Sequence, residues 1–174
     1  MKISLKKELS GSILDIGGGG EGIIGRIYGK GVIAIDNHQE ELDEAPESAQ
    51  KVLMDATKLL FPDESFDHVT SFYTLMYMRK EEQVHAIREA ARVLRKDGQL
   101  HIWDAVIRVA YPEPYLAELE IDAAGELIHT TYGIVKPDAG QDAAQFISIC
   151  RSSGFDLLAS EENEGFFHLR FKKL

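Results

Sequence analysis

The stretch "SILDIGGGGEG", residues 12–22, places five glycines among six consecutive positions directly after a short apolar run. Because glycine costs backbone entropy wherever it is placed, a cluster of this density indicates a backbone that another group approaches closely. A strand, a glycine-rich turn and the start of a helix form such a place at the carboxyl edge of a parallel sheet. The stretch therefore predicts a ligand-binding loop. A flexible tight turn without a ligand is the alternative.

A glycine pattern and one carboxylate indicate what this loop binds. Gly17, Gly19 and Gly22 match G-x-G-x-x-G, and the same pattern recurs three residues later. Asp36 follows the next β-branched run, about 20 residues downstream of the first glycine, where an acidic side chain can accept hydrogen bonds from ribose hydroxyls. Asp36 alone could equally be a solvated carboxylate at the end of a strand. Loop and aspartate together favour the binding of a nucleoside.

Strands and helices are predicted to alternate along the first two thirds of the chain. Short runs rich in apolar residues predict strands at residues 12–16, 32–35, 52–54, 69–72 and 100–103, and the run at 32–35 is also β-branched. Helices are expected at residues 23–28, 40–45 and 81–94, and Gly98 is expected to end the last of them. This order predicts an α/β fold with a Rossmann-like, mostly parallel sheet flanked by helices.

The last third of the chain has a different pattern. Residues 116–135 read as an inserted β-hairpin within the segment 111–137, and residues 142–152 carry the apolar spacing of a helix. A C-terminal antiparallel strand pair is expected at residues 155–158 and 166–172. No repeat or linker interrupts the sequence, so residues 1–174 are expected to form a single domain. The hairpin is expected to be a lid that recognises the substrate, or else a sheet extension or a dimer contact.

The composition narrows the class of partner. The 174 residues include 19 basic and 29 acidic ones, which give a net charge of −10 and would repel a nucleic acid. The single cysteine, Cys150, permits no internal disulfide and fits a reducing cytosol. No apolar run approaches the ~18 residues of a membrane-spanning helix. We therefore expect a cytoplasmic protein with neither a nucleic-acid nor a membrane partner.

Several segments, in order, resemble the class I S-adenosylmethionine-dependent methyltransferases of the small-molecule methyltransferase-domain type. "ILDIGGGGEG" resembles their first motif, an acidic residue followed by alternating glycines, and Asp36 falls where the family holds the ribose. "MDATKLLFPDESFDHV" is similar to the segment in which an aspartate, here Asp55, contacts the adenine amino group beside Ala56. "SFYTLMYM" lies where the fourth strand of the family ends against the methionine part of the cofactor. "EAARVLRKDGQLHIWD" resembles the helix and strand that follow.

The resemblance implies a methyltransferase that uses S-adenosylmethionine, releases S-adenosylhomocysteine and methylates a small molecule by in-line displacement. A homodimer is compatible with it. The register of the first motif stays open, because starting at Asp15 puts Glu21 at the third glycine, whereas a shift by one residue displaces the acidic residue. The residues implied to bind the cofactor are Asp15, Gly17, Gly18, Gly19, Asp36, Asn37, Asp55, Ala56 and Phe72.

Three side chains are candidates for catalysis. Tyr73 and Tyr77 follow the fourth predicted strand, and Asp104 ends the fifth, so all three are expected at the edge where the acceptor lies. Asp104 could orient the acceptor or act as a base, and a structural role is the alternative for it. For the two tyrosines the alternative to contact with the acceptor is simple packing. The six histidines show no metal-ligand spacing, so no metal is expected. An NAD(P)-binding Rossmann protein and a catalytically silent, regulatory S-adenosylmethionine-binding module stay open as alternative functions.

Overall fold

The structure, a computed structural model, describes residues 1–163 and 165–174, which form ten strands and four α-helices. The strands are β1 (Lys2–Leu5), β2 (Ile13–Ile16), β3 (Val32–Asp36), β4 (Gln50–Leu53), β5 (Phe66–Phe72), β6 (Leu94–Ala105), β7 (Tyr115–Ala123), β8 (Glu126–Ile134), β9 (Phe155–Glu162) and β10 (Phe166–Lys173). The helices are α1 (Ile23–Tyr28), α2 (Gln39–Glu44), α3 (Lys80–Val93) and α4 (Ala143–Ser152), and a 3₁₀ turn spans Leu75–Tyr77.

Seven strands form a central sheet in the order β4-β3-β2-β5-β6-β10-β9. The first five run parallel, while β10 pairs antiparallel with β6 and with β9. This arrangement confirms the predicted Rossmann-like α/β fold with its C-terminal antiparallel pair. Because the parallel strands point the same way, their carboxyl ends meet at one edge of the sheet, where a crevice for ligands forms.

Both faces of the central sheet are covered, which explains why all four residues of β2 are buried. One face packs on α3 and α4 through an apolar cluster that includes Ile87 and Phe146. The opposite face packs on α1, β1 and β7 through a second cluster that includes Ile24 and Ile121. No described helix is both long enough and apolar enough to cross a membrane.

The predicted hairpin is present, but it does not extend the central sheet. β7 and β8 pair antiparallel around Ala124 and Gly125, which both adopt left-handed backbone conformations. A strand that sequence analysis did not predict, β1, pairs parallel with β7 and completes a separate three-stranded sheet. Its only sequence signal is the alternation that buries Ile3 and Leu5.

The expected role of Gly98 as the stop of the long helix is wrong. α3 ends at Val93, and β6 begins at the next residue. Asp97 takes the left-handed conformation, with φ of 63°, and a Cβ on Gly98 would lie 3.0 Å from the carbonyl oxygen of Asp67. Gly98 therefore serves the close approach of two strands rather than a helix end.

Candidate functional site

A cavity of about 700 Å³ opens at the carboxyl ends of the parallel strands. Its wall is built from the glycine loop, the end of β3, the segment after β4, the segment after β5, and β8. The structure brings most of the residues implied to bind the cofactor together on this wall. Those that line the cavity are Gly17, Gly19, Asp36, Asn37, Asp55, Ala56 and Phe72.

The glycine loop is held by backbone hydrogen bonds and by close contacts with this chain's own side chains. The N–H groups of Gly17 and Gly18 donate to the carbonyl oxygen of Ile35 at 2.8 and 3.0 Å. Gly17 has a φ of +72°, and a Cβ there would overlap the Thr74 side chain. A Cβ on Gly19 would lie 2.9 Å from Asp36 Oδ2. The density of glycines thus serves first to seat the loop against its neighbours, and Gly17 and Gly19 also line the cavity.

Asp15 and Gly18, both implied to bind the cofactor, lie behind the wall instead of on it. Asp15 is buried, and its Oδ1 accepts a hydrogen bond from Thr70 Oγ1 at 2.7 Å. Burial raises the pKa of Asp15 to about 7, although the hydrogen bond from Thr70 opposes the rise. A Cβ on Gly18 would lie 2.6 Å from Asp15 Oδ2 and 2.7 Å from Ala34 Cβ. Asp15 and Gly18 therefore support the glycine loop on the side that faces away from the cavity.

Two carboxylates face the cavity from the ends of neighbouring strands. Asp36 Oδ1 accepts the N–H of His38 at 3.0 Å, and Asp55 Oδ1 accepts both the N–H and the Oγ1–H of Thr57 at 2.8 Å. The N–H of Met54 donates to the carbonyl oxygen of Asp36 at 2.9 Å, which ties the two segments together. Within the described residues, Oδ2 of each carboxylate makes no hydrogen bond, so each can accept one from a ligand.

Tyr73 and Tyr77 both line the cavity, as predicted. Tyr73 is buried, and its hydroxyl donates to Met1 Sδ at 3.8 Å. Burial raises the pKa of Tyr73 far above its usual range, so its hydroxyl stays protonated at neutral pH. Tyr77 is 48% exposed. Partial burial raises its pKa as well, and a contact with the Gly133 backbone in β8 opposes that rise.

Asp104, the third catalytic candidate, does not line the cavity. It is fully buried, and its carboxylate accepts hydrogen bonds from Ala105 N at 2.7 Å, Met76 N at 3.2 Å and Gln141 Nε2 at 2.8 Å. Burial raises the pKa of Asp104 to about 7 against these hydrogen bonds. An acceptor in the cavity therefore cannot reach this carboxylate, and the expected direct role as a base is replaced by a structural one.

Several residues of the wall were not predicted from the sequence, among them residues of β8 and of α1. Thr130 and Thr131 line the cavity beside Tyr132, because β8 turns this part of the hairpin inward. Arg26 of α1 also lines it and forms an ion pair with Glu126 at the tip of the hairpin. No local pattern marks these contacts. These contacts depend on how the hairpin packs against the rest of the fold. A prediction that this segment forms a hairpin does not include that packing.

The wall is strongly acidic. Arg26 is the only lysine or arginine that lines the cavity among the described residues. The lining carboxylates are Glu21, Asp36, Glu41, Glu44, Asp55 and Glu82. Such a wall favours a ligand with positive charge over an anionic one.

The histidines of the described residues do not form a metal site. No group of three or more His, Cys, Asp or Glu side chains within residues 1–163 and 165–174 is arranged to hold a metal ion. His68, His101 and His168 instead lie in a row across β5, β6 and β10, with ring centroids 5.7 and 6.0 Å apart. The expectation of metal-free chemistry stays a prediction.

Comparison with known proteins agrees with this geometry. A family model described as "Methyltransferase domain" matches residues 14–102, about half of the chain. A "Methyltransferase GfsG" of Streptomyces halstedii is 32% identical over 102 residues, which are 56% of this chain and 36% of that protein. A "27-O-demethylrifamycin SV methyltransferase" of Amycolatopsis mediterranei is 35% identical over 123 residues, which are 64% of this chain and 43% of that protein. The match thus spans less than half the length of either curated relative.

Solved structures share the fold. The crystal structure of a SAM-dependent methyltransferase from Methanosarcina mazei superposes with a TM-score of 0.68 at 19% identity. The match covers 95% of this chain and 94% of that one. The two chains therefore share the same fold.

Proposed function

Because the chain belongs to the methyltransferase domain family, whose cofactor is S-adenosylmethionine, we propose that it transfers a methyl group to a small-molecule acceptor by in-line displacement. The observation that carries the proposal is the acidic cavity at the carboxyl ends of the strands, where the implied cofactor residues meet. The comparisons do not favour the NAD(P)-binding alternative or the silent regulatory module. Both curated relatives are named as methyltransferases.

The residues of the wall fit S-adenosylmethionine in charge and in hydrogen bonding. The cofactor carries a sulfonium and an ammonium group, which suit a wall with six carboxylates and one arginine. Asp36 would hold the ribose hydroxyls, and Asp55 beside Ala56 would hold the adenine amino group, since each carboxylate has an oxygen free. Gly17 would let the methionine part approach the backbone.

In the proposed reaction, the chain aligns the acceptor with the methyl group of the cofactor. When bound, S-adenosylmethionine supplies a methyl group on a sulfonium, which is already a good leaving group. Holding an acceptor in line with that methyl can supply about 7–11 kcal/mol of a bimolecular barrier. Tyr77 and Tyr132 offer hydroxyl groups and ring faces for this purpose. A base is needed only for an acceptor that must lose a proton, and Tyr73, which stays protonated, does not provide one.

The hairpin formed by β7 and β8 is proposed as the lid and the acceptor-recognition element. Thr130, Thr131 and Tyr132 line the cavity, and the ion pair between Arg26 and Glu126 fastens the hairpin tip to α1. A homodimer contact through the same hairpin is the competing proposal. We also place the protein in the cytoplasm, since the single cysteine, Cys150, is free and buried.

Binding and turnover test this function separately. Calorimetric titration should show binding of S-adenosylmethionine and S-adenosylhomocysteine, and a hundredfold excess over Kd should add ~2.7 kcal/mol to the free energy of unfolding. Incubation of metabolite extracts with S-adenosylmethionine labelled in its methyl group should then yield a labelled small molecule. NAD⁺ and NADP⁺ serve as control ligands. Binding of either nucleotide in preference to S-adenosylmethionine would contradict the proposal.

A further inference from the structure

A chain of buried side-chain hydrogen bonds connects Asp104, near the end of β6, with α3 and the start of α4. The Asp104 carboxylate accepts from Met76 N at 3.2 Å and from Gln141 Nε2 at 2.8 Å. Gln141 Oε1 accepts from Gln83 Nε2 at 3.2 Å, and Gln83 Oε1 accepts from Gln145 Nε2 at 2.7 Å. Asp104, Gln83 and Gln141 are buried and do not line the cavity, so the alignment of ligands described above leaves them without a role.

One end of this network holds the turn that follows β5. The N–H of Met76 donates to Asp104, and the carbonyl oxygen of Leu75 accepts from Gln83 Nε2 at 2.8 Å. Both backbone groups belong to the 3₁₀ turn Leu75–Tyr77, whose last residue lines the cavity. The position of Tyr77 therefore depends on the two side chains that hold the turn.

The other end of the network holds the base of the segment that carries β7 and β8. Ile107 and Gln141 form an isolated antiparallel bridge, with N–H to O distances of 2.9 and 3.1 Å. The chain leaves the central sheet just before this bridge and returns to α4 just after it. The Gln141 side chain, which donates to Asp104, thus fixes where this segment begins and ends.

We propose that Asp104 is a positioning residue for the acceptor, because through Met76 and Gln141 it sets the spacing between the Leu75–Tyr77 turn and β8. We call this arrangement the Asp104 clasp; it comprises Asp104, the N–H of Met76, Gln141 and Gln83. The inference rests on the proposed function, which assigns Tyr77 and Tyr132 to the acceptor. The clasp itself is a property of the fold and can be measured without methyl transfer.

The protonation state of Asp104 controls the clasp. Its partners are all N–H donors, so a protonated carboxyl loses an acceptor and adds a donor that faces other donors. Burial raises the pKa of Asp104 to about 7. The hydrogen bonds of the clasp are therefore intact above neutral pH and weakened below it. The titratable groups that act on it from the surrounding elements are Tyr73, Tyr77, Lys80, Tyr115 and Lys136. The tyrosines stay neutral near pH 7 because burial raises their pKa, and the lysines favour the ionised carboxylate.

Asp104→Asn tests the clasp with little change of shape. An asparagine can accept with its oxygen, but its NH₂ group faces a donor. Gln141 cannot rotate to compensate, since its Nε2 also donates to the carbonyl oxygen of Ala105 at 3.1 Å. The measurement is hydrogen exchange at the Met76 amide by NMR, corrected for the intrinsic rate, at pH 6 and pH 8. In the wild type we expect exchange at least fivefold faster at pH 6 than at pH 8. In Asp104→Asn we expect fast exchange at both pH values.

Asp142→Ala is the matched control. Asp142 caps α4 by accepting the N–H of Gln145 at 2.9 Å, so its loss lowers Tm, although Asp142 takes part in none of the hydrogen bonds that join Asp104, Met76, Gln141 and Gln83. Exchange at Met76 should stay at the wild-type rate in this variant. The proposal is overturned if Asp142→Ala speeds exchange at Met76 as much as Asp104→Asn does. It is also overturned if wild type and Asp104→Asn exchange alike at both pH values.

Two further measurements connect the clasp with the acceptor. Asp104→Asn should bind S-adenosylhomocysteine within about twofold of the wild type, because Asp104 does not line the cavity. Transfer of labelled methyl to the extract fraction that the wild type methylates should fall at least tenfold. Unchanged transfer in Asp104→Asn would overturn the positioning role. A wild type that does not bind S-adenosylhomocysteine would instead overturn the proposed function, while the exchange result at Met76 would still define the clasp.

Discussion

The ring of Tyr73 stacks on the ring of Tyr132, with centroids 4.9 Å apart and an interplanar angle of 26°. Tyr73 follows β5 of the central sheet, and Tyr132 lies in β8 of the three-stranded sheet. Tyr73 also has a φ of +50°, a left-handed conformation that is unfavourable for a bulky side chain unless its surroundings hold it. The stack therefore joins the hairpin to the residue that follows β5 on the cavity wall.

Tyr132→Ala should uncouple the hairpin from the cavity. Losing the stack removes ~0.5–1.5 kcal/mol beyond the effect of buried area, and the hairpin then no longer closes over the acceptor. We expect S-adenosylhomocysteine affinity within a few-fold of the wild type and methyl transfer at least tenfold lower. Calorimetry and transfer of labelled methyl measure the two quantities.

Tyr132→Phe is the control for this change, because it keeps the ring and removes only the hydroxyl. Transfer that survives in the Phe variant and collapses in the Ala variant assigns the effect to the ring of Tyr132 and not to its hydroxyl. If size-exclusion chromatography shows loss of a dimer in Tyr132→Ala while transfer per folded chain is unchanged, the hairpin serves assembly rather than acceptor recognition.

Asp36→Ala should weaken S-adenosylmethionine binding by ~1.5–3 kcal/mol, since it removes a charged acceptor for the ribose hydroxyls. Asp43→Ala is the matched control on the adjacent helix, where Asp43 is exposed and bonded only to Gln39 among the described residues. Isothermal titration calorimetry of both variants against the wild type gives the comparison. Equal affinity in Asp36→Ala would remove this carboxylate from the proposed site.

Two of the residues expected to bind the cofactor that also line the cavity lie at the ends of strands. Asp36 and Asp55 follow short apolar runs, and parallel strands bring such ends together whatever the details of packing. The fold of the central sheet was predictable for the same reason, because alternating strands and helices leave few arrangements. Local sequence was sufficient for these features.

The rest depends on contacts between residues far apart in the chain. Asp104 is the last residue but one of β6, yet it accepts hydrogen bonds from Met76 and Gln141 and does not line the cavity. The glycine cluster correctly indicated a close approach, but the groups that approach include Thr74 and Glu41 of this same chain. No local sequence pattern indicates which residues will surround Asp104 or the glycine loop. Those neighbours are determined only when separate elements pack together.

Gly18→Ala should destabilise the fold by ~1–3 kcal/mol through overpacking. The added Cβ would lie 2.6 Å from Asp15 Oδ2 and 2.7 Å from Ala34 Cβ, between two adjacent strands that cannot easily separate. Gly31→Ala is the control, since its Cβ would meet only the carbonyl oxygen of Gly11, at 4.0 Å. Urea unfolding of both variants measures the difference. A Gly18→Ala protein as stable as Gly31→Ala would show that the loop has room to shift.

His101, the buried member of the histidine row, should make the fold sensitive to acid. Burial, together with the neighbouring His168, His68 and Arg170, lowers the pKa of His101 to about 3. An unfolded chain protonates the same imidazole at about pH 6.5, so between these values only the unfolded state takes up the proton. The contribution of His101 to the free energy of unfolding is therefore complete above pH 6.5. As the pH falls from 6.5 towards 3, this contribution is lost at about 1.4 kcal/mol per pH unit. Asp15 and Asp104 act in the opposite direction, because their raised pKa lets the folded state bind protons first.

Replacing His101 by phenylalanine separates these opposing contributions. The substituted ring keeps the contact with Trp103, whose ring centroid lies 5.5 Å from that of His101, but cannot take up a proton. Urea unfolding at pH 7.5 and pH 4.5 gives the stability difference between His101→Phe and the wild type at each pH. We expect this difference to shift by about 2–3 kcal/mol in favour of the variant at the lower pH, because only the wild type loses stability through this imidazole. Asp15 and Asp104 are present in both proteins, so their contributions cancel in the comparison. A stability difference that is the same at both pH values would mean that His101 titrates near 6.5 in the folded state and is open to water.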